Sequence, residues 1–382
     1  MKLAFCLFNY FPYGGLERNF LKIIMECLVR GHSVNVFTMS WEGKNPTKAT
    51  VTLVPCIGQS NHRQVASYAA NLSKFLKRTS YDLIMGFNRI PGLDLYYAAD
   101  VCYAARIQKE HSFLSRFTPR YRLFSAFERA VFSKDSPTEI IILAEKGKTI
   151  YQSLYGTPEN RFHLAPPGVS KNHIRSSLGA EGRKKIREKI GLAKDDNFLL
   201  MIGSHFHTKG VDRSIKALAS LPLSLRKSTY LFIIGRGKEK QYHNLAQRLG
   251  ISGNVRFLGV RDDVPLFLAG ADFVLQPSRT ENTGNSIVEA LVAGIPVMAT
   301  ESCGYAFHVD RAQAGMIVAD FPFRQKRMNT MLEEMIASPK REMWRENALS
   351  YADRTDLYNR VKVIADLIET VAAKQKVMAK DS

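Results

Sequence analysis

Pro277-Ser-Arg-Thr-Glu281-Asn-Thr-Gly284-Asn-Ser-Ile-Val-Glu289-Ala-Leu-Val-Ala-Gly294-Ile-Pro296 joins two different periodicities. It follows a strand-length apolar run over 272–276. Ile287, Val288, Leu291 and Val292 then recur at helical spacing and form one apolar face. Gly284 stands where that helix begins, and Gly294 with Pro296 ends it, so the spacing predicts a helix over 284–293. A second apolar strand, 296–300, follows at once. Strand, helix, strand, with both strands apolar throughout, is the crossover unit of a parallel sheet covered on both faces.

The start of that helix has chemical potential. Its first-turn N–H groups lack internal acceptors and carry partial positive charge, a natural seat for a phosphate. Glu281 lies in the loop before it. Glu289 lies five residues in, about 7 Å further along the axis at the helical rise. One carboxylate can take sugar hydroxyls on one side of a diphosphate and the other ribose hydroxyls on the far side. Two solvated glutamates beside a surface helix would leave the same local pattern.

Outward from this stretch the pattern repeats. Strands are predicted over 197–203, 229–235 and 254–258, with helices near 211–221, 240–249 and 324–338. The polar stretch before them carries a basic run, 183–189, expected on an exposed helix. Residues 353–380 are predicted as one closing helix with a basic tail. In the first half, strands are expected over 2–8, 34–38, 51–55, 82–87, 95–101 and 138–144, and helices over 16–30 and 61–78. The break falls at Pro166-Pro167-Gly168. The expected architecture is α/β, two doubly wound Rossmann-like domains (1–168 and 169–352) facing each other across a cleft, with 353–382 crossing back toward the first. Ligands of such sheets bind at the carboxyl ends of the strands.

Composition sets the bounds. The chain has 382 residues, 45% apolar and 23% charged, enough to build two cores. No apolar run reaches the roughly 18 residues of a membrane span, and the six-residue run before Asn9 is too short for a signal peptide. Lys plus Arg number 54 against 35 Asp plus Glu, a net charge of +19, which implies a polyanionic partner. Five widely spaced cysteines without a CxxC argue against disulfides or zinc and for a reducing, cytoplasmic setting. A nucleic-acid binder would explain the charge, but the bases are spread along the chain and no binding module is present. A dehydrogenase would need a GxGxxG, and Gly14-Gly15 is not one.

Several further residues bear on a site. Gly14-Gly15 follows the first strand and precedes a helix, where glycines let backbone approach a phosphate. Lys209, in Gly203-Ser-His-Phe-His-Thr-Lys209-Gly210, follows a strand end. A lysine there can neutralise a departing diphosphate. His205 and His207 have no carboxylate or cysteine beside them, so a metal is not expected. Asp195-Asp196 and Asp262-Asp263 are predicted to cap turns and helices, and no Asp-x-Asp stands in a suitable loop. Asp100 closes an apolar strand, either capping a turn or facing a ligand.

From Tyr103 to Lys134 the bases are Arg106, Lys109, Arg116, Arg120, Arg122, Arg129 and Lys134, against Glu110 and Glu128. Phe113, Phe117, Tyr121, Phe124, Phe127 and Phe132 are interleaved. Such a segment can lie on an anionic bilayer, with a net charge of five worth at most about 5 kcal/mol there. Its aromatics, Phe124, Phe127 and Phe132 among them, could equally pack into the core.

Glutamate, seven residues, glutamate, then Ala-Leu-x-x-Gly-x-Pro-Val resembles the signature of the retaining GT-B glycosyltransferases of family 4, which include bacterial-type sucrose and glycogen synthases. The resemblance is closest to the glucosyltransferases of the lipopolysaccharide core and covers essentially the whole chain. It is carried by Phe5-Cys6-Leu7 through Gly14-Gly15-Leu16, Ser40-Trp41-Glu42-Gly43, Gly86-Phe87-Asn88, Pro91-Gly-Leu-Asp94, Ala98-Ala-Asp100-Val-Cys102-Tyr103, Lys209-Gly-Val-Asp-Arg213-Ser and Cys303-Gly304-Tyr305.

The resemblance implies transfer of glucose from UDP-glucose, with retention, onto a heptose of the lipopolysaccharide core. It implies no cofactor and no metal, and a place at the cytoplasmic face of the inner membrane. It assigns Asp100, Lys209 and Glu281 to the reaction. Gly14, Gly15, Asn19, Ser204, His205 and Arg261 join them around the donor, as do Asn282, Thr283, Gly284, Asn285 and Glu289. Asn88, Arg106, Lys109, Arg116, Arg120 and Arg122 are assigned to acceptor or membrane. Two positions depart from the pattern: Asn19 stands where Asp is expected, and Ser204 where many members carry Arg.

Overall fold

A computed structural model describes residues 1–12, 14–110, 113–170 and 179–378. The chain divides into two compact units. The first is Met1–Pro166 together with the segment from Asn359 on, and the second is Pro167–Tyr358.

The first unit holds strands β1 (Lys2–Cys6), β2 (Asn9–Tyr10), β3 (Ser33–Thr38), β4 (Ser40–Trp41), β5 (Ala49–Leu53), β6 (Leu83–Gly86), β7 (Leu95–Ala98), β8 (Glu139–Ile142) and β9 (Phe162–Leu164). Its helices are α1 (Gly15–Val29), α2 (Asn61–Leu76), α3 (Tyr103–Glu110), α4 (Pro119–Phe132) and α5 (Glu145–Tyr155). Seven strands form a parallel sheet in the order β5-β3-β1-β6-β7-β8-β9. β2 and β4 pair separately, stacking Tyr10 on Trp41 at 3.8 Å.

β1 explains why its residues are apolar on both faces. Leu3 and Phe5 pack with Phe20, Ile23 and Ile24 of α1, whereas Ala4 and Cys6 face Val65, Tyr68 and Leu72 of α2.

The second unit holds α6 (Ala180–Lys189), β10 (Asn197–Ile202), α7 (Phe206–Lys209), α8 (Val211–Ala219), α9 (Leu223–Arg226), β11 (Thr229–Ile234), α10 (Lys240–Arg248), β12 (Val255–Phe257) and α11 (Val264–Gly270). It continues through β13 (Phe273–Gln276), α12 (Asn285–Val292), β14 (Val297–Thr300), α13 (Ala306–Ala312), β15 (Gly315–Val318), α14 (Gln325–Ala337) and α15 (Arg341–Arg354). Its parallel sheet runs β12-β11-β10-β13-β14-β15. Both sheets are thus doubly wound Rossmann-like arrangements. Strand order reverses between β1 and β6 in the first and between β10 and β13 in the second.

Two expectations are corrected. The run 183–189 is not simply a solvated face. Lys184, Lys185 and Lys189 are exposed, but Arg183 and Arg187 turn inward onto buried Asp272, at 2.7 and 3.2 Å. Asp272 also accepts the Phe198 amide at 2.7 Å, so the pair of arginines joins α6 to β10 and β13.

The closing helix starts later than expected. α15 stops at Arg354, Thr355 is extended, and Asp356 accepts the Tyr358 amide in a local turn. The last helix, α16 (Arg360–Met378), then packs Ile364, Ile368 and Val371 into the core of the first unit. Lys380 lies outside the described residues.

In the basic segment the core-packing alternative holds for part of the aromatics. The segment forms α3, a short 3-10 turn over Phe113–Phe117, and α4. Phe127 and Phe132 of α4 are buried in the core.

Candidate active site

The loops after β10 and β13 flank the switch point of the second sheet, and they bring Lys209 and Glu281 together. Lys209 Nζ donates to Glu281 Oε2, with both side chains about four-fifths buried. The stem of Lys209 crosses Gly203, where a Cβ would stand 2.7 Å from the lysine Cε. Gly210, at φ +72°, ends α7 against the Pro277 carbonyl, leaving no room for a side chain.

Arg279 fastens the same loops. Its guanidinium is bidentate on Asp212, at 2.9 and 2.8 Å, and donates to the His207 carbonyl at 2.7 Å. Its amide donates to the Thr208 carbonyl at 2.8 Å. Arg213 donates to the Pro277 carbonyl at 3.2 Å and to Asp320 at 3.1 Å. Sequence reading passed over both arginines. The signal was an Asp-Arg pair just after Lys209-Gly210 and a lone Arg two residues before Glu281.

The 281–284 loop is held from its other side. Glu281 pairs as a single bridge with Cys303, Gly304 N donates to the Glu281 carbonyl at 3.1 Å, and Tyr305 N donates to that of Thr283 at 2.8 Å. Burial, with the Glu281 carboxylate near, pushes the Cys303 thiol up to about 11. Gly284 caps α12 at φ +100° with no side-chain cap bond. Asn285 opens the helix and Glu289 lies in its second turn, half-buried.

The other donor candidates of this unit sit nearby in sequence, not all of them beside the pair. Asn282 is half-buried between Glu281 and Thr283. Ser204 Oγ accepts the Arg236 amide at 3.1 Å. His205 is exposed and left-handed, with φ +62°. Arg261 is bidentate on Asp263, at 2.6 and 2.8 Å, which occupies the aspartate expected to cap α11.

In the first unit, Gly14 caps α1 and lies under the Glu17 carboxylate, which would overlap any Cβ at Gly14. Gly15 is open, with no atom within 4 Å of such a position. Glu17 was not a sequence candidate. Burial raises its carboxyl pKa, and the Asp100 charge adds to the rise. Asn19 stands near the buried Tyr97 phenol, as does Arg360, although that phenol makes no hydrogen bond of normal geometry. Asn88 Oδ1 accepts the Phe8 amide at 2.7 Å, tying the end of β6 to that of β1.

Asp100 follows β7, two-thirds exposed, with Arg89 Nη2 3.9 Å from its Oδ2. In the basic segment Arg106, Arg120 and Arg122 are exposed and Arg116 half-buried. Leu114 and Phe117 project with 74% and 57% exposure. The Lys109 side chain lies outside the described residues. Among the described residues, no three His, Cys, Asp or Glu side chains gather as metal ligands, and no helix is long and apolar enough to cross a membrane.

Known proteins are similar to this chain in sequence and fold. Residues 182–351 match the family described as Glycosyl transferases group 1, and residues 13–173 match Glycosyltransferase Family 4. Over 369 residues the chain is 43% identical to the lipopolysaccharide glucosyltransferase WaaG of Escherichia coli (strain K12), spanning 96% of this chain and 98% of that protein. The crystal structure of WaaG, a glycosyltransferase involved in lipopolysaccharide biosynthesis, matches with a TM-score of 0.90, covering 96% of this chain and 99% of that one. Anabaena HepE, solved in complex with UDP and glucose, matches with a TM-score of 0.73 at 20% identity over 97% of this chain and 100% of its own, a likeness of fold. The chain belongs to the family 4 glycosyltransferases, enzymes of the GT-B fold built from two Rossmann-like units.

Proposed function

We propose that this enzyme transfers glucose from UDP-glucose, with retention of the α configuration, to a heptose of the lipopolysaccharide inner core. The observation that carries the reading is the Lys209–Glu281 pair beside the uncapped start of α12. A cation and a row of helix-terminal N–H groups suit a diphosphate, and the adjoining carboxylate suits sugar hydroxyls. Identity with a lipopolysaccharide glucosyltransferase supports the donor and acceptor classes.

In the mechanism the donor diphosphate lies against Lys209 and the first turn of α12. Glu281 leaves lysine for sugar hydroxyls, and Glu289 takes the ribose. No side chain attacks the sugar. The acceptor hydroxyl approaches from the leaving-group side and gives its proton to the departing phosphate, whose charge Lys209 and the helix dipole hold. No metal or other cofactor is required. Asp100 orients the acceptor, with Asn88 nearby in chain order. Gly14, Gly15 and Asn19 are further donor candidates that the family resemblance implies.

Exposed Arg106, Arg120, Arg122, Leu114 and Phe117, with half-buried Arg116, support a peripheral position on the anionic cytoplasmic face of the inner membrane, where a lipid-anchored acceptor would be presented. Nucleic acid has no part in the reading. The test is transfer from a panel of UDP- and ADP-sugars to truncated lipopolysaccharide cores. UDP-glucose should be used first and Glu281→Ala should lower transfer roughly 10²–10³-fold. Turnover of no nucleotide-sugar would end the proposal.

A further inference from the structure

Glu128 lies in the middle of α4 and is wholly buried. Its carboxylate accepts from five donors: Arg89 Nη1, the amides of Tyr103 at 2.7 Å and Ala104 at 2.9 Å, Tyr155 Oη at 2.7 Å and Cys102 Sγ at 3.5 Å. It thereby caps the first turn of α3 and pins the chain on one side of Asp100.

Arg89 reaches residues on both sides of Asp100. While Nη1 serves Glu128, Nη2 donates to the Val101 carbonyl at 2.8 Å and faces Asp100 Oδ2 at 3.9 Å, and Nε donates to Tyr96 Oη at 3.2 Å. Tyr151 Oη donates to the Asp100 carbonyl at 3.3 Å. The exposed carboxylate of Asp100 thus stands on a stretch, 100–104, whose backbone is held largely through one buried anion and its arginine.

A carboxylate taken fully out of water is costly unless every oxygen is paired, and an apolar residue in α4 would fill the same space more cheaply. What the apolar residue would lose is the placement of 100–104. We infer that Glu128 is a positioning residue for sugar transfer: through Arg89 and the first turn of α3 it sets where Asp100 meets the acceptor. The inference rests on the acceptor role proposed for Asp100.

Glu128→Gln keeps the shape but turns an NH2 group toward donors. Kinetics with truncated lipopolysaccharide core as acceptor should show acceptor KM raised roughly tenfold, because a buried donor loses its partner. UDP affinity by calorimetry should stay within about twofold, since Lys209, Glu281 and α12, proposed to hold the diphosphate, belong to the other unit. In an Asp100→Asn background the same substitution should cost less than about twofold, the signature of two residues acting as one.

Equal losses in both backgrounds, a parallel loss of UDP binding, or an unchanged acceptor KM would overturn the inference. If Asp100→Asn alone leaves acceptor KM unchanged, the reading of Asp100 falls, and the role of Glu128 with it. If Glu128→Gln fails to fold, Arg89→Lys repeats the test, keeping the charge while losing the fork that spans Glu128 and Val101. Its outcomes are scored in the same way.

Discussion

Lys209 and Glu281, 72 positions apart in the chain, form an ion pair across the switch point of the second sheet. Each is the other's partner, and the proposed reaction has the donor separate them. In the proposed reaction Lys209→Ala and Glu281→Ala should each lower turnover roughly 10²–10³-fold, the usual worth of a group that stabilises a departing charge. The double variant should fall little below the worse single, because the two act as a unit. Steady-state transfer assays, with circular dichroism to confirm folding, give the comparison. A double variant falling by the product of the singles would show that the two act separately.

Gly203 supports that lysine. Gly203→Ala places a methyl against the Lys209 stem and strains a backbone at φ +146°, so it should weaken UDP binding about tenfold or more and destabilise the fold by about 1–3 kcal/mol. Gly15→Ala, in open space, should be close to neutral for stability. Calorimetry and thermal denaturation read both.

Asp272 holds Arg183, Arg187 and one amide, with Arg341 3.7 Å away, while almost fully buried. Asp272→Ala should cost about 3–5 kcal/mol, since two partly buried cations lose their partner. Lys184→Ala, on the exposed side of the same helix, should change stability by less than about 0.5 kcal/mol. Urea unfolding monitored by tryptophan fluorescence distinguishes them.

His308 makes stability depend on pH. It is buried against the Tyr351 hydroxyl, 2.7 Å from Nδ1, and burial holds its pKa down to about 4. The unfolded chain binds this proton near 6.5 and the folded chain does not until about 4. The contribution is therefore whole above 6.5 and is lost as pH falls toward 4, up to about 3 kcal/mol. His308→Asn should flatten the urea-stability profile between pH 6.5 and 4. An unchanged slope would assign the acid sensitivity to other groups.

The 3-10 turn after α3 should carry the membrane contact. Replacing Leu114 and Phe117 by Ser should reduce binding to anionic vesicles several-fold, and replacing Arg120 and Arg122 by Ala should reduce it further at low salt. Binding to neutral vesicles as tight as to anionic ones would remove the membrane reading.

The strand and helix alternation was legible because each strand lies between two apolar layers, as β1 does. The glutamate loop was legible because Gly284 and the apolar face of α12 mark it locally. What escaped depends on partners distant in sequence. Arg187 reads as one more base in a charged run, and only Asp272, 85 positions on, reveals that it points inward. Glu128 looked like a minority acid on a basic surface, yet it is the buried hub of that segment. Short elements such as α11, α13 and the β2–β4 pair hold too few residues to show a period. The bend at Thr355 owes more to a local Asp356 turn than to any glycine or proline.

The first unit is assembled from both extremes of the described chain. α16 supplies Ile364, Ile368 and Val371 to a core otherwise built from residues before Pro166, and Asp366 and Glu369 pair with Arg30 and His32. On the ribosome, that sheet is made first and receives its last covering helix only after the whole second unit has emerged. Until then one apolar flank stays bare to chaperones and to neighbouring nascent chains, whereas the second unit can close as soon as its own sequence is out.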